Sequence, residues 1–255
     1  MPVDPLCSCI EKRTVQRRPM RMNALSTEWI QALEQAVGKD YQLQFFSTIS
    51  LRSKVAGLLW RGAHIRLTCP EAYPVHREII EWGARFSDDR IPEQAVGVDP
   101  LTARLMYWVL QSWKRVVFFN GFMMGTVWPR IQLDVIPAIA CSAHVLLQPR
   151  VVPTSLQDRV EAGMALQRLW LTATRLGLHL QPQMTPLIFR WYVQAGQAMS
   201  ASTKINAAAD RLTNQLDEFF GLARGDSAMF FCRIGVCQPP VSRSLRKSLS
   251  LLMRG

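Results

Sequence analysis

The stretch SLQDRVEAGMALQRLWLTATRLGLHLQP, residues 155–182, decides the fold of this chain. Ser155 and Asp158 have the spacing of a capping box, in which the serine accepts from early helix amides and the carboxylate lies at the positive helix end. Gly177 offers a left-handed stop, and Pro182 follows it. The pattern predicts a helix that begins after Ser155 and ends near Gly177.

Apolar side chains cover nearly every face of this predicted helix. They are Val160, Met164, Leu166, Leu169, Trp170, Leu171, Ala173, Leu176 and Leu178. A helix that is apolar all round is expected to be buried all round. We therefore expect a central core helix, or one whose outer face is covered by a second subunit.

The segments on either side alternate between helical and extended patterns, and helices outnumber strands. Expected helices are residues 26–37, a helix after Ser50, a helix after Pro74, 101–119 and 205–220. Expected strands are residues 64–68, 135–147 and 228–234. The predicted fold class is α+β.

Length and composition favour one large core. The chain has 255 residues, 49% of them hydrophobic, and no linker divides it. No window reaches 18 uncharged apolar residues, which disfavours a membrane span. Residues 1–15 lack the apolar core of a signal peptide, so the expected compartment is the cytoplasm.

Cysteine and histidine spacing points to no metal centre or catalytic triad. The six cysteines are Cys7, Cys9, Cys69, Cys141, Cys232 and Cys237, without paired metal-ligand spacing or a compact disulfide framework. The four histidines, His64, His76, His144 and His179, have no triad spacing with a serine or cysteine. Structural roles are predicted for both sets, and His179 is the histidine closest to the end of the predicted helix.

Positive charge concentrates at the two ends of a chain whose net charge is +11. Residues 12–21 contain five basic side chains and no acidic one, and residues 241–255 contain four and no acidic one. Two such clusters fit either a surface for a polyanion or one anion site assembled from both ends. The charges alone leave both alternatives open.

Three segments resemble the FMN-dependent nitroreductase family. RTVQRRP at 13–19 is similar to its opening phosphate motif, AGMALQRLWLTATRLGLHLQP at 162–182 to its central helix and following turn, and FFCRIGVCQPPVSRSLRKSLSLL at 230–252 to its last strand and C-terminal phosphate segment. The resemblance is to a divergent branch with mycobacterial flavin-binding proteins and nitroreductase domains associated with ThiF-like proteins.

The resemblance implies one nitroreductase-like domain over residues 1–255, with residues 1–10 as a loose N-terminal segment. It implies a mostly antiparallel central sheet flanked by helices, with the long central helix at a homodimer interface. FMN would be the cofactor, NADH or NADPH the reductant, and a nitro-aromatic, quinone-like or peptide-derived small molecule the acceptor, by ping-pong hydride transfer through flavin N5.

The same resemblance implies a phosphate site built from both ends of the chain. Arg13, Arg17 and Arg246 would grip the FMN phosphate, since a guanidinium presents a planar fork to phosphate oxygens. Val15 stands where the family motif has a serine, so it offers only its backbone amide and implies weaker binding.

The turn after the central helix would lie beside the flavin ring. Gln181 and Pro182 begin this turn, and the backbone N–H of Met184 or Thr185 would point at flavin N5. Packing of Met184 in the core is the alternative for that side chain.

Two other functions stay open. A protein that stores FMN or senses it without turnover is favoured by Val15. A basic protein that binds nucleic acid through both ends is the third hypothesis, and the absence of aromatic residues among the basic ones argues against it. No membrane partner is expected.

Overall fold

A computed structural model describes residues 3–122 and 125–253. Its main sheet has the strand order β1-β5-β7-β6, and every neighbouring pair is antiparallel. The strands are β1 (Tyr41–Phe46), β2 (Ile80–Glu81), β3 (Phe86–Ser87), β4 (Ile91–Pro92), β5 (Ala143–Pro149), β6 (His179–Pro182), β7 (Phe230–Gly235) and β8 (Arg243–Ser244). The short strands form two small parallel pairs, β2 with β4 and β3 with β8.

Helices account for nearly half of the described chain. They are α1 (Thr27–Val37), α2 (Ile49–Thr68), α3 (Tyr73–Glu78), α4 (Pro100–Leu110), α5 (Trp113–Phe122), α6 (Val127–Arg130), α7 (Ile136–Ile139), α8 (Leu156–Arg175), α9 (Thr185–Gln194), α10 (Thr203–Phe220) and α11 (Leu249–Leu252). A single π-helical turn, Ile131–Val135, joins α6 to α7. The predicted α+β class, with a mostly antiparallel central sheet flanked by helices, is confirmed.

The main sheet separates two hydrophobic cores. On one face, Val145 and Cys232 pack with α1 and α8. On the other face, Leu146 and Phe231 pack with α2, α9 and α10. Because alternate residues of a strand point to opposite faces, central strands such as β5 need apolar residues throughout, and all but the last residue of β5 are buried.

The central helix of the prediction is α8, and its ends are as expected. Ser155 and Asp158 form the capping box, and Gly177 has a φ of 74°. Within the described chain, α8 is covered toward α1, the sheet and the 3-10 turn Cys7–Cys9, so of the two expectations the one of a core helix buried on all sides is not met. The opposite face exposes Leu156, Val160 and Met164.

Four predicted elements differ from the structure. Residues 64–68 are the last turns of α2 and not a strand, because Ala63 and Ile65 continue its buried stripe. Residues 101–119 form two helices, α4 and α5, and residues 135–147 begin as α7 before β5 starts at Ala143. Residues 181–182 belong to strand β6, paired with β7, and not to a turn.

The N-terminal segment is also more ordered than expected. Cys7–Cys9 form a 3-10 turn that contacts α8, and Cys9 is 5% exposed. Residues 1 and 2 of the predicted loose segment lie outside the described residues. Across the described chain, no helix has the length and apolar character needed to cross a bilayer.

Candidate functional site

A cavity of about 430 Å³, which we call the main cavity because it lies between α2, the α4–α5 pair and the segment that joins β6 to α9, has residues of the predicted site in its lining. Most of its walls are apolar, with Leu59, Met106 and Trp113 among them. Small-molecule sites typically have volumes of roughly 300–1,000 Å³, apolar walls and a few converging polar groups. This cavity has those properties.

The predicted site residues divide into three groups. Arg17, Gln181, Pro182, Met184 and Thr185 line the main cavity. Val15 lines a second cavity of about 480 Å³, to which Arg17 also contributes. Arg13 and Arg246 lie beside one another outside the linings of both cavities.

Arg17 lies where the two cavities meet. One guanidinium nitrogen donates to the Ala95 carbonyl at 3.3 Å. Burial lowers the pKa of Arg17, and among residues 3–122 and 125–253 the only ion pair joins Arg190 to Asp217. A half-buried guanidinium without an acidic partner is stabilised by an anion, so this position suits a phosphate.

A glycine allows the chain to approach Arg17 closely. Gly97 has a φ of 102°, and a Cβ atom added there would lie 3.0 Å from the Arg17 Cβ. Both the backbone conformation and the space therefore favour glycine at this position.

Arg233 on β7 holds the N-terminal basic segment in place. Its guanidinium donates to the carbonyl oxygens of Gln16 at 3.0 Å, Arg17 at 2.6 Å and Arg18 at 3.0 Å. The residue is 1% exposed, and this burial lowers its pKa to about 10. Arg233 was not among the residues predicted from the sequence, although a charged residue inside the apolar run FFCRIG is a signal that could have identified it.

The two ends of the chain meet at Arg13 and Arg246. Arg246 donates to the Arg13 carbonyl at 2.9 Å. The Arg13 guanidinium lies 4.4 Å from the ring centroid of Trp170 on α8 and donates to Gln167 at 3.1 Å. Burial and the charge of Arg246 both lower the pKa of Arg13. One compact basic site, and not two separate tails, is the result.

The segment from β6 to α9 presents polar groups to the main cavity. The side-chain oxygen of Gln181 is buried without a hydrogen-bond partner in the described chain. Pro182, which lacks an N–H, is tolerated because β6 is a sheet edge. Helix α9 begins at Thr185, so its first amides have no intrahelical acceptor.

Gln183 in this segment is fixed by a buried histidine. Its side-chain amide lies 2.8 Å from Nδ1 of His144, and Nε2 of His144 lies 2.9 Å from the Ala138 carbonyl oxygen. Burial lowers the pKa of His144 to about 4, so the ring is neutral at pH 7. His144 therefore has a structural role. His179, the histidine singled out in the sequence, is half-buried at the start of β6.

Within the part of the chain that the structure describes, the side chains form neither a metal site nor a disulfide bond. No group of three or more His, Cys, Asp or Glu side chains is placed to hold a metal ion there. The six cysteines are free thiols.

Comparison with known proteins gives matches in structure alone. No family model matches the chain, and no curated protein matches it significantly in sequence. The FMN-dependent nitroreductase NfnB from Mycobacterium smegmatis, solved in complex with NADPH, superposes with a TM-score of 0.52 at 14% identity, covering 98% of this chain and 97% of that one.

Two further solved structures give similar values. A BluB-like flavoprotein from Clostridium difficile 630 has a TM-score of 0.52 at 12% identity, with 98% of each chain covered. An iodotyrosine deiodinase bound to FMN and 3-iodo-L-tyrosine has a TM-score of 0.51 at 10% identity, with 96% of each chain covered. These identities establish a shared fold. Over 98% of its length, this chain has the fold of the FMN-dependent nitroreductase NfnB.

Proposed function

We propose that this protein is an FMN-dependent NAD(P)H oxidoreductase. The observation that carries the proposal is the main cavity, which brings Arg17 and the 181–185 segment together on a nitroreductase fold. FMN, when bound, supplies hydride transfer. The residues of the chain hold the ring, neutralise the phosphate and exclude water.

The residues present fit FMN. The unpartnered Gln181 oxygen can accept from a ring N–H, and the apolar walls suit a planar ring. Met184 and Thr185 line the cavity at the start of α9, where an amide without an intrahelical acceptor is available for flavin N5. Arg17 supplies positive charge for the phosphate from the cavity lining, Arg13 and Arg246 supply it where the two chain ends meet, and Val15 supplies no hydroxyl.

The acceptor belongs to the class of nitro-aromatic, quinone-like or peptide-derived small molecules, and the reductant is NADH or NADPH. The apolar residues Leu156, Val160 and Met164 on the outer face of α8 support a homodimer, because pairing of two copies would cover them. The meeting of Arg13 and Arg246 in one compact site supports a small anion over a nucleic acid.

Replacement of Arg13 and Arg246 together by alanine tests the cofactor assignment. We expect the dissociation constant for FMN to rise about 30–1,000-fold, since the two lost charge-assisted contacts cost roughly 1–2 kcal/mol each and about 1.4 kcal/mol corresponds to a factor of ten. Affinity for riboflavin, which lacks the phosphate, is expected to change less than threefold. Flavin fluorescence titration measures both constants, and NADPH oxidation with a quinone measures turnover.

The matched control is Arg211→Ala on the exposed face of α10. An unchanged FMN affinity in the double variant would remove these two arginines from the phosphate site. Wild-type protein that keeps FMN but turns over with neither NADPH nor NADH would instead favour the storage function.

A further inference from the structure

The main cavity contains a carboxyl group, that of Asp134, whose contacts do not explain a structural role. Asp134 lies on the π-helical turn Ile131–Val135, and its Oδ2 atom is buried without a hydrogen-bond partner in the described chain. The residue lines the same cavity as Gln181 and Met184. Single π-helical turns inside helices occur frequently at functional sites.

The groups around Asp134 are mainly cationic. Arg66 on α2, Arg130 on α6 and Arg233 on β7 act on it electrostatically, and His76 on α3 and Arg17 line the same cavity. None forms an ion pair with it within the described residues. Arg130 instead donates to the Trp60 carbonyl at 2.6 and 3.0 Å and lies over the Trp60 ring, while Arg233 holds the carbonyls of residues 16–18.

Burial outweighs these three positive charges. It raises the pKa of Asp134 to about 6, so the protonated and ionised forms are both accessible near neutral pH. After loss of the proton, the three guanidinium groups stabilise the carboxylate that remains. A carboxyl group whose burial is partly offset by neighbouring positive charges can release a proton into the cavity and take it back.

Resting on the proposed function, we propose that Asp134 is a catalytic residue that donates a proton to the oxygen of a quinone-type acceptor bound in the main cavity. The reductant of the proposed function supplies the hydride, with its two electrons. The O–H bond of the Asp134 carboxyl breaks, and a new O–H bond forms on the acceptor oxygen. Asp134 is left as a carboxylate and regains its proton from solvent before the next turnover.

The test compares wild-type holoenzyme with Asp134→Asn after anaerobic reduction by NADPH. Reoxidation by menadione needs a proton and is expected to slow about 100-fold, the scale of general acid catalysis. Reoxidation by ferricyanide accepts electrons without a proton and is expected to change less than twofold. The menadione rate of the wild type falls as pH rises from 5 to 8, and the variant loses this dependence.

Unfolding by urea at pH 5 and pH 8 provides a second measurement that needs no cofactor. A carboxyl whose pKa is raised in the folded state stabilises the fold below its unfolded pKa, and this contribution is lost as pH rises through about 6. The wild type is therefore expected to lose stability relative to Asp134→Asn between the two pH values. Asp210→Asn, on the exposed side of α10, is the control.

The outcomes separate the inference from the function on which it rests. Reduction by NADPH with equal menadione rates in wild type and Asp134→Asn overturns the inference and leaves the oxidoreductase intact. Failure to bind or reduce FMN overturns both. If Asp134→Asn does not fold, Asp134→Glu is the second variant, because it keeps the carboxyl group. We expect its menadione rate to fall as pH rises from 5 to 8, as in the wild type. A menadione rate of Asp134→Glu that does not depend on pH would also overturn the inference.

Discussion

Replacement of Arg233 by methionine is expected to lower the free energy of unfolding by about 3 kcal/mol, because three buried or partly buried carbonyl oxygens lose their donor. Those oxygens belong to Gln16, Arg17 and Arg18. Removal of a buried charge recovers some desolvation energy, but the unpaired carbonyl groups outweigh it. Urea unfolding measures the change.

The same variant is expected to weaken FMN binding at least tenfold, because residues 16–18 are no longer held against β7. Arg233→Lys keeps the charge but lacks the planar fork, so we expect an intermediate result. Arg211→Met, at an exposed position, is the control and is expected to change stability by less than about 0.5 kcal/mol. Unchanged stability and FMN affinity in Arg233→Met would contradict the anchoring role.

Replacement of Arg190 by methionine is expected to lower the free energy of unfolding by about 3 kcal/mol. The Arg190 side chain is 4% exposed, pairs with Asp217 on α10 and donates to the carbonyls of Ala223 at 3.1 Å and Asp226 at 2.8 Å. This value is at the low end of the roughly 3–5 kcal/mol that breaking a buried ion pair costs, because the Asp217 side chain is 20% exposed and water can reach it.

The Arg190→Met variant is expected to lose stability without losing affinity for FMN. Arg190 joins α9 to α10 and the loop after it, away from the main cavity lining. FMN affinity measured without denaturant is therefore expected to stay within twofold of the wild type. The double variant Arg190→Met with Asp217→Leu is expected to be more stable than Arg190→Met alone, and a less stable double variant would contradict the pairing argument.

Local signals in the sequence predicted the helices whose ends have clear capping or stop residues. The capping box at Ser155 and Asp158 predicted the start of α8, and Gly177 predicted its end. The helices predicted over residues 26–37 and 205–220 lie close to the observed bounds of α1 and α10. Strand β1 was not predicted, because its alternating residues are only half-buried and its pairing with β5 is a long-range contact.

The candidate site was predictable to the extent that it depends on motif residues. Arg17 and the 181–185 segment do reach one cavity. The charged residue inside the apolar run FFCRIG marks Arg233 as unusual, but its role comes from the carbonyls of residues 16–18, which are distant in sequence. The environment of Asp134 likewise includes Arg66 and Arg233, which no local pattern places beside it. The split of residues 135–147 into α7 and β5 was missed for a different reason, because apolar periodicity alone does not separate a buried helix from a buried strand.

The most direct test of the oxidoreductase proposal is the visible absorption spectrum of the purified protein with FMN, recorded before and after anaerobic addition of NADPH. We predict flavin bands that remain with the protein through gel filtration and bleach when NADPH or NADH is added. A protein that refuses FMN, or a bound flavin that neither nucleotide reduces, would contradict the proposed function.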